Sequence, residues 1–496
     1  MLAKTRLNII TAFSLFSLFM AAMIPLCAKS QLWVDEVLDS DPAYNLAFRH
    51  KLSLDVWEKL EGAEKVSFVR PPFHSLVLSY LYRTLGFKRW VTLGLPLLSA
   101  ALTLVVIYFI AILLVNEFWV ATFSSILFGL SALGVNSAKW GRLNALAMFL
   151  FSASFLLLLL ARRQESLKKY LLTFFSGILL GLSAQTYQLY GLLFIGYLVY
   201  YFFYLRKEDD SWLKEMLVFI TAFIATFALW ISFILQDIGL FKEHFVFVFL
   251  SASNLKYILS SNIILRALLD FFWLAVYFSP FSLFFSVAGM VLLAKKSQKH
   301  KGIIFSFALV PALLLLFCGL LIGYYIEILT PLLFVSMGFY TYLLLSRQRD
   351  GKTFWIRIFL LFFLLSHLTS GIGSKYFFTI KEWKMRNLPA YEQEILKVIP
   401  SGSLVLGTAQ DWYALNRSGS KLVLFESTVF SPSWNKFDYI ILSPFADLSR
   451  IPQAMEFINN NTYEILRVGS GGRNYILPNG FNRNSGYSAV IFKVKK

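Results

Sequence analysis

NALAMFLFSASFLLLLLA at residues 144–161, RRQESLKK at 162–169 and YLLTFFSGILLGLSAQ at 170–185 decide the fold of this chain. A helix that crosses a bilayer needs about 20 mostly apolar residues, because it rises about 1.5 Å per residue through about 30 Å of hydrocarbon. Two runs near that length, joined by a loop holding Arg162, Arg163, Lys168 and Lys169, read as two spans with their connection in the cytoplasm.

The same alternation extends in both directions. Eleven segments qualify as spans, near 7–28, 91–115, 118–136, 144–161, 170–185, 189–205, 213–235, 268–294, 302–322, 325–345 and 353–372. Arg206, Lys207 and Lys214, then Lys295, Lys296, Lys299 and Lys301, then Arg347, Arg349 and Lys352 fall on the side of the 162–169 loop, as do Lys4 and Arg6. The alternate turns at 186–188 and 323–324 carry no charge. This bias places the N-terminus in the cytoplasm and, the span count being odd, the C-terminus outside a cell membrane of plasma or inner type. The first segment has the basic start of a secretory signal, but its apolar length favours a retained span.

Composition agrees. Of 496 residues 57% are hydrophobic and only 15% charged, where globular chains carry about a quarter. The net charge of +18 could suggest nucleic acid in a soluble chain. Its concentration in short loops between spans reads instead as topology, so no nucleic-acid partner is expected. Cys27 and Cys318 both fall near the outer ends of their spans and read as small packing groups rather than a bridge.

Three parts leave the bilayer on the outer face: 29–90, 236–267 and 373–496. The division expected is a transmembrane catalytic domain over 1–372, whose first outer loop at 29–90 carries interfacial helices near 42–51 and 53–63, and a small extracytoplasmic α/β domain over 373–496. The tail has β-prone runs at 403–407, 421–427, 437–443, 463–469 and 488–494, with helical patterns near 389–399 and 449–460. Gly469, Gly471 and Gly472 before Arg473 have the look of a phosphate-cradling loop, but no helical pattern follows, so a turn between strands is the better reading.

The chemistry concentrates in the first outer loop. Asp35 and Glu36 follow the first span by a few residues, at the membrane surface. A carboxylate there can act as general base for an acceptor hydroxyl, or the pair can hold a divalent cation that steadies a leaving phosphate; no cofactor beyond such a cation is suggested. Against this stands a solvated acidic loop. Arg70 precedes Pro71-Pro72 and is thereby held extended. Lys139 and Arg142, three residues apart at the mouth of the fourth span, could bind phosphate, or else snorkel to lipid headgroups.

With these residues in view, the chain resembles the GT-C glycosyltransferases that use polyprenyl-phosphate sugars, in particular the protein O-mannosyltransferases and the aminoarabinose transferases of lipid A. The resemblance rests on Asp35-Glu36 with Ala43-Tyr44 after it, on Arg70-Pro71-Pro72-Phe73 with Leu85-Gly86 closing the following run, and on Lys139-Trp140-Gly141-Arg142 with Leu146 a turn later. It covers roughly residues 1–345. Two places depart from the family pattern: Asn144 replaces an aromatic two residues past the arginine, and Tyr324-Tyr325 replaces Arg-Tyr before the late span, with Glu327 ahead of Pro331.

The resemblance implies an inverting transfer of sugar from a lipid-linked donor to a glycolipid, cell-envelope glycan or protein acceptor on the outer face. Asp35 would be the base, Glu36 would orient it or help hold a metal, and Arg70, Lys139 and Arg142 would bind the donor phosphate. His74, Gln185, Tyr187, Gln188, Tyr190, Tyr325 and Glu327 are candidates for the substrate pocket. A glycan polymerase or ligase shares the outer-face chemistry, though such enzymes carry their long loop late in the chain. A lipid-linked glycan transporter would place ionisable groups inside spans and repeat its halves, neither of which the sequence displays.

Overall fold

A computed structural model describes residues 2–58, 60–252, 279–317, 326–346, 353–427, 432–443, 452–468, 473–476, 482–485 and 487–495. Among these, seven segments are long and apolar enough to cross a membrane: Thr5–Ala28, Arg89–Val115, Asn144–Ala161, Leu167–Thr186, Gln188–Lys207, Trp212–Ile234 and Ile326–Ser346. They lie in α1 (Leu2–Ala28), α4 (Arg89–Val115), α7 (Asn144–Ala161), α8 (Ser166–Thr186), the irregular helix around α9 (Leu193–Val199), α10 (Trp212–Ile234) and α15 (Thr330–Ser346). The protein is a multi-pass membrane protein.

Two bent helix pairs qualify as spans if each pair is taken as one. α5 (Phe118–Leu130) meets α6 (Ala132–Lys139) at 57°, and α16 (Thr353–Ser370) meets α17 (Ile372–Lys381) at 44°. At the first bend Ser131 leaves helical geometry and its hydroxyl accepts from the Gly134 N–H at 2.9 Å, starting a new helix. The second bend nests on the first: a Cβ at Gly371 would lie 1.9 Å from the Leu130 carbonyl oxygen, a contact only glycine permits. The spans expected at 268–294 and 302–322 are described only as α12 (Pro280–Lys296), α13 (Gln298–Ile304) and α14 (Val310–Phe317), and Cys318, Arg347, Arg349 and Lys352 lie outside the described residues. A further helix, α11 (Ile238–Ala252), lies in the 236–267 loop.

The loop at 29–90 differs from its sequence reading. One helix, α2 (Val34–Phe48), replaces the pattern expected at 42–51, and it starts early enough to include Asp35 and Glu36 in its first turn. Carboxylates there favour the positive end of the helix dipole. Pro42 inside α2 removes a backbone donor at a cost of about 3 kcal/mol. Burial of the helix between membrane domain and tail offsets it; Val37, Ala43 and Ala47 are all buried. No helix forms at 53–63. That stretch closes on itself through Leu54 N–H to Ala63 O (2.7 Å) and Ser67 N–H to Leu52 O (2.7 Å). A helix not foreseen, α3 (Phe73–Leu85), follows Pro71-Pro72.

In the tail, β1 (Leu404–Gly407), β2 (Lys421–Leu424), β3 (Tyr439–Leu442), β4 (Thr462–Val468) and β7 (Ala489–Val494) form a sheet of order β2-β1-β3-β7-β4, the first three parallel and β7 antiparallel to both neighbours. A separate hairpin pairs β5 (Arg473–Ile476) with β6 (Asn482–Ser485). With α18 (Leu388–Val398), α19 (Trp412–Arg417) and α20 (Pro452–Asn461), this is an α/β fold as expected; the five sheet strands, α18 and α20 lie within a few residues of their readings, while α19 and the β5–β6 hairpin were not foreseen. Arg473 opens a strand rather than a helix, and the three glycines before it lie outside the described residues.

The tail does not stand apart from the 29–90 loop. Leu32, Val37, Leu54, Val56, Leu60 and Ala63 share one hydrophobic core with Ile395, Trp412, Tyr413 and Ile491. The Leu424 N–H donates to the Val56 carbonyl at 3.1 Å.

Candidate active site

α2 presents Asp35 and Asp39, one turn apart, on one face. Asp35 Oδ2 lies 3.2 Å from an Arg142 Nη and accepts from the Trp33 indole N–H at 3.2 Å. The two side chains of the ion pair are 28% and 25% exposed, open enough to meet a ligand. A pair this exposed adds only about 0–1 kcal/mol to stability, so stability does not account for it.

Asp39 is buried and ties two loops to the helix. Its Oδ1 accepts from Arg70 Nε at 3.2 Å, and its Oδ2 accepts from the Leu143 N–H at 3.4 Å. The Arg70 guanidinium also lies 5.9 Å from the centre of the Tyr187 ring, and the Tyr187 and Tyr190 rings are 6.2 Å apart. On the far side the Asn144 amide donates to the buried Glu327 carboxylate. Arg70, Arg142, Tyr187 and Glu327 thus gather around the Asp35–Asp39 face from four distant parts of the chain.

The charges reinforce one another. Burial works against the positive charge of Arg142, but Asp35, Asp39 and Glu327 outweigh it and raise its pKa. The same balance, with Asp39 the leading carboxylate, raises that of Arg70. Both arginines are held charged. Yet the cluster is not internally satisfied: Arg142 Nε, Asn144 Oδ1, Gln188 Oε1 and the Tyr190 hydroxyl are buried without a hydrogen-bond partner. Each such atom costs about 1–3 kcal/mol, a cost a polar ligand would remove.

The other expected residues are placed differently. His74 is buried on α3 against the Asp39 backbone, and burial lowers its pKa. Gln185 donates to the Thr226 carbonyl. Tyr325 lies outside the described residues. Lys139 sits 5.9 Å from the Trp140 ring centre, next to Ala138, whose carbonyl accepts from the Cys27 thiol. Glu36 turns to its own cation: Arg89 Nε and Nη2 fork its two oxygens at 3.0 and 3.3 Å. Gly141 makes room for it, since a Cβ there would lie 2.6 Å from Glu36 Cγ.

A divalent cation at Asp35 and Glu36 would need both carboxylates turned to one point. Each instead faces a separate guanidinium, and among the described residues no three His, Cys, Asp or Glu side chains gather as ligands. The residues present do not fit a metal at that pair.

Sequence reasoning did not assign a role to Asp39 or Arg89, and it met Asn144 only as a departure from the family pattern. Asp39 left a trace in its spacing of four from Asp35, which becomes meaningful once the helix is known to start at Val34.

No family model matches the sequence, and no curated protein matches it. Solved structures do match the fold. ArnT from Cupriavidus metallidurans, bound to undecaprenyl phosphate, superposes with a TM-score of 0.60 at 12% identity, over 99% of this chain and 98% of that one. The chain has the fold of the GT-C glycosyltransferases. The archaeal oligosaccharyltransferase AglB from Archaeoglobus fulgidus, in complex with an inhibitory peptide and a dolichol-phosphate, gives 0.53 at 12% identity over 96% of this chain and 74% of that one. The arabinofuranosyltransferase AftD from Mycobacteria gives 0.54 at 16% identity, over 99% of this chain and 40% of that one. In this GT-C fold the face of α2 that bears Asp35 adjoins the ends of α7, α8 and α15.

Proposed function

We propose that the chain is an integral-membrane glycosyltransferase that moves a sugar from a polyprenyl-phosphate donor to a hydroxyl or amine acceptor on the outer face of the cell membrane, with inversion at the anomeric carbon. The observation that carries this reading is the pairing of the Asp35 carboxylate with the Arg142 guanidinium at 3.2 Å, beside Arg70, at the mouth of a GT-C bundle. The undecaprenyl phosphate of the ArnT structure and the dolichol-phosphate of the AglB structure are both polyprenyl phosphates, which supports that class of carrier here.

In the proposed step Asp35 accepts the proton of the attacking acceptor as the new glycosidic bond forms. The bond between the anomeric carbon and the phosphate oxygen breaks, and the electron pair leaves on the phosphate. Arg142 and Arg70 neutralise the charge that develops there, and a planar guanidinium can grip two phosphate oxygens at once. Lys139, at the same mouth, adds longer-range positive charge. Asn144, Gln188, Tyr190 and Glu327 form the wall that meets the sugar. Glu36 acts through its position beside Asp35 rather than at the reacting atoms. The acceptor is a glycolipid, an envelope glycan or a protein.

The test is a panel of polyprenyl-phosphate hexoses and pentoses offered to the full-length protein in nanodiscs. Turnover of one donor that vanishes in Asp35→Asn supports the reading. Turnover unchanged by Asp35→Asn overturns it. Mass spectrometry of envelope glycans and glycolipids with and without the gene then identifies the sugar.

A further inference from the structure

α2 is held on the side away from Arg142 by two consecutive residues of the tail. Tyr413, fully buried in α19, donates its hydroxyl to Glu36 Oε1 at 3.2 Å and lies 2.8 Å from Thr92 Oγ1, which in turn lies 2.6 Å from the Tyr82 hydroxyl. The Trp412 indole N–H donates to Asp41 Oδ1 at 3.1 Å. Phe87 closes the joint, its ring 5.3 Å from Tyr413 and 5.2 Å from Trp412. A second strap reaches the same carboxylate, since the arginine that forks Glu36 also lies 3.3 Å from the tail's Tyr487 hydroxyl.

Glu36 is the residue next to Asp35 on a helix, so whatever fixes Glu36 fixes the rotation of the turn that carries Asp35. A general base must sit within hydrogen-bond reach of the proton it takes. A displacement of about 1 Å can cost about 10²-fold in rate. We propose that Tyr413 is a positioning residue: through Glu36 the tail domain sets the rotation of α2 and thereby the place of the Asp35 carboxylate opposite Arg142. This rests on the glycosyltransferase reading above, and it gives the tail domain a task in the reaction without contact with substrate.

The variant Tyr413→Phe keeps the ring between Phe87 and Trp412 and removes only the hydroxyl. With the donor that shows Asp35-dependent turnover, the full-length variant in nanodiscs is expected to lose about tenfold in kcat while the donor KM and the affinity for undecaprenyl phosphate alone stay unchanged. In an Asp35→Asn background the same substitution is expected to cost nothing more, because its effect passes through the base. A purely structural role predicts the opposite, a lower melting temperature with losses that add in the double variant. If Tyr413→Phe does not fold, Trp412→Phe, which removes the bond to Asp41 and keeps an aromatic ring, is expected to show the same split of kcat from KM. Wild-type kcat in a folded variant, or full additivity with Asp35→Asn, overturns the proposal while the base assignment stands. A donor panel without Asp35-dependent turnover overturns both.

Discussion

Two clusters of arginine and carboxylate sit at opposite ends of the bundle, and only one is complete. At the end where α7 runs into α8, Arg162 Nη1 lies 3.0 Å from Asp209 and 3.3 Å from Glu215, and Lys169 binds the same two carboxylates. Ser211 fills the remaining positions, 2.8 Å from Lys169 and 2.8 Å from Asp209. No buried side-chain atom of these five residues lacks a partner. At the other end Arg142, Asn144, Gln188 and Tyr190 each keep a buried polar atom unpaired. The complete network accounts for itself as a staple between spans. The incomplete one has buried polar atoms left over for a polar ligand.

The comparison can first be broken by sidedness, an all-or-none effect. A membrane-impermeant thiol reagent added outside is expected to label Lys397→Cys in the tail and to leave Lys299→Cys unlabelled. Labelling of Lys299→Cys, or a protected tail, inverts the topology and removes the outer-leaflet donor from the argument.

Asp35→Asn comes next. With the base gone, turnover is expected to fall by about 10²-fold or more, while the melting temperature stays near the parent's because the pair it breaks is partly exposed. Wild-type turnover would return the acidic face to the status of a solvated loop.

The third test sets one arginine of each cluster against the other. Arg142→Ala is expected to weaken donor binding by about tenfold or more, and Arg142→Lys by less, since a single ammonium cannot reproduce the fork. Arg162→Ala is expected to do the reverse: donor KM unchanged, stability lowered by about 1.5–3 kcal/mol, because the buried Glu215 carboxylate loses one of its two cations and keeps only Lys169. Equal effects on KM from both would erase the distinction between staple and site.

The smallest effect concerns pH and the rear of α2. Burial, with the neighbouring Asp55 carboxylate, pushes the Asp41 carboxyl up to about 7. Its folded value exceeds the ordinary one of about 3.9, so the folded state binds this proton more tightly than the unfolded chain. The associated stability is present at low pH and is lost as pH rises through about 7. Asp209 moves the other way: its burial is outweighed by Lys169, Ser211 and Arg162, which lower its pKa, and its contribution is lost as pH falls. Thermal melts between pH 4 and 8 are expected to decline as pH rises from about 4 to about 7 in the parent, to level off above about 7, and to lose that slope in Asp41→Asn. An unchanged slope in that variant would assign the decline to another group.

Sequence alone determined what depends on composition and period. Apolar runs of spanning length have one stable setting in water and lipid, so the bundle was readable directly, as were the β-prone runs of the tail, and the basic loops gave an expectation of sidedness. Asp35, Arg70 and Arg142 were readable as candidates because a carboxylate and two cations on one side of a membrane need a reason. The tertiary structure decided which of them meet. Lys139 and Arg142 are three residues apart in the chain, yet the bend at Ser131 and the turn at Gly141 give them different neighbours. Asp35 and Glu36 are adjacent, yet successive helix positions differ by about 100°, and only packing could say that one faces Arg142 and the other Arg89 and Tyr413. The span from Asp35 to Glu327, like that from Glu36 to Tyr413, runs through most of the sequence, and no local pattern records a contact whose energy comes from burial of both ends at once.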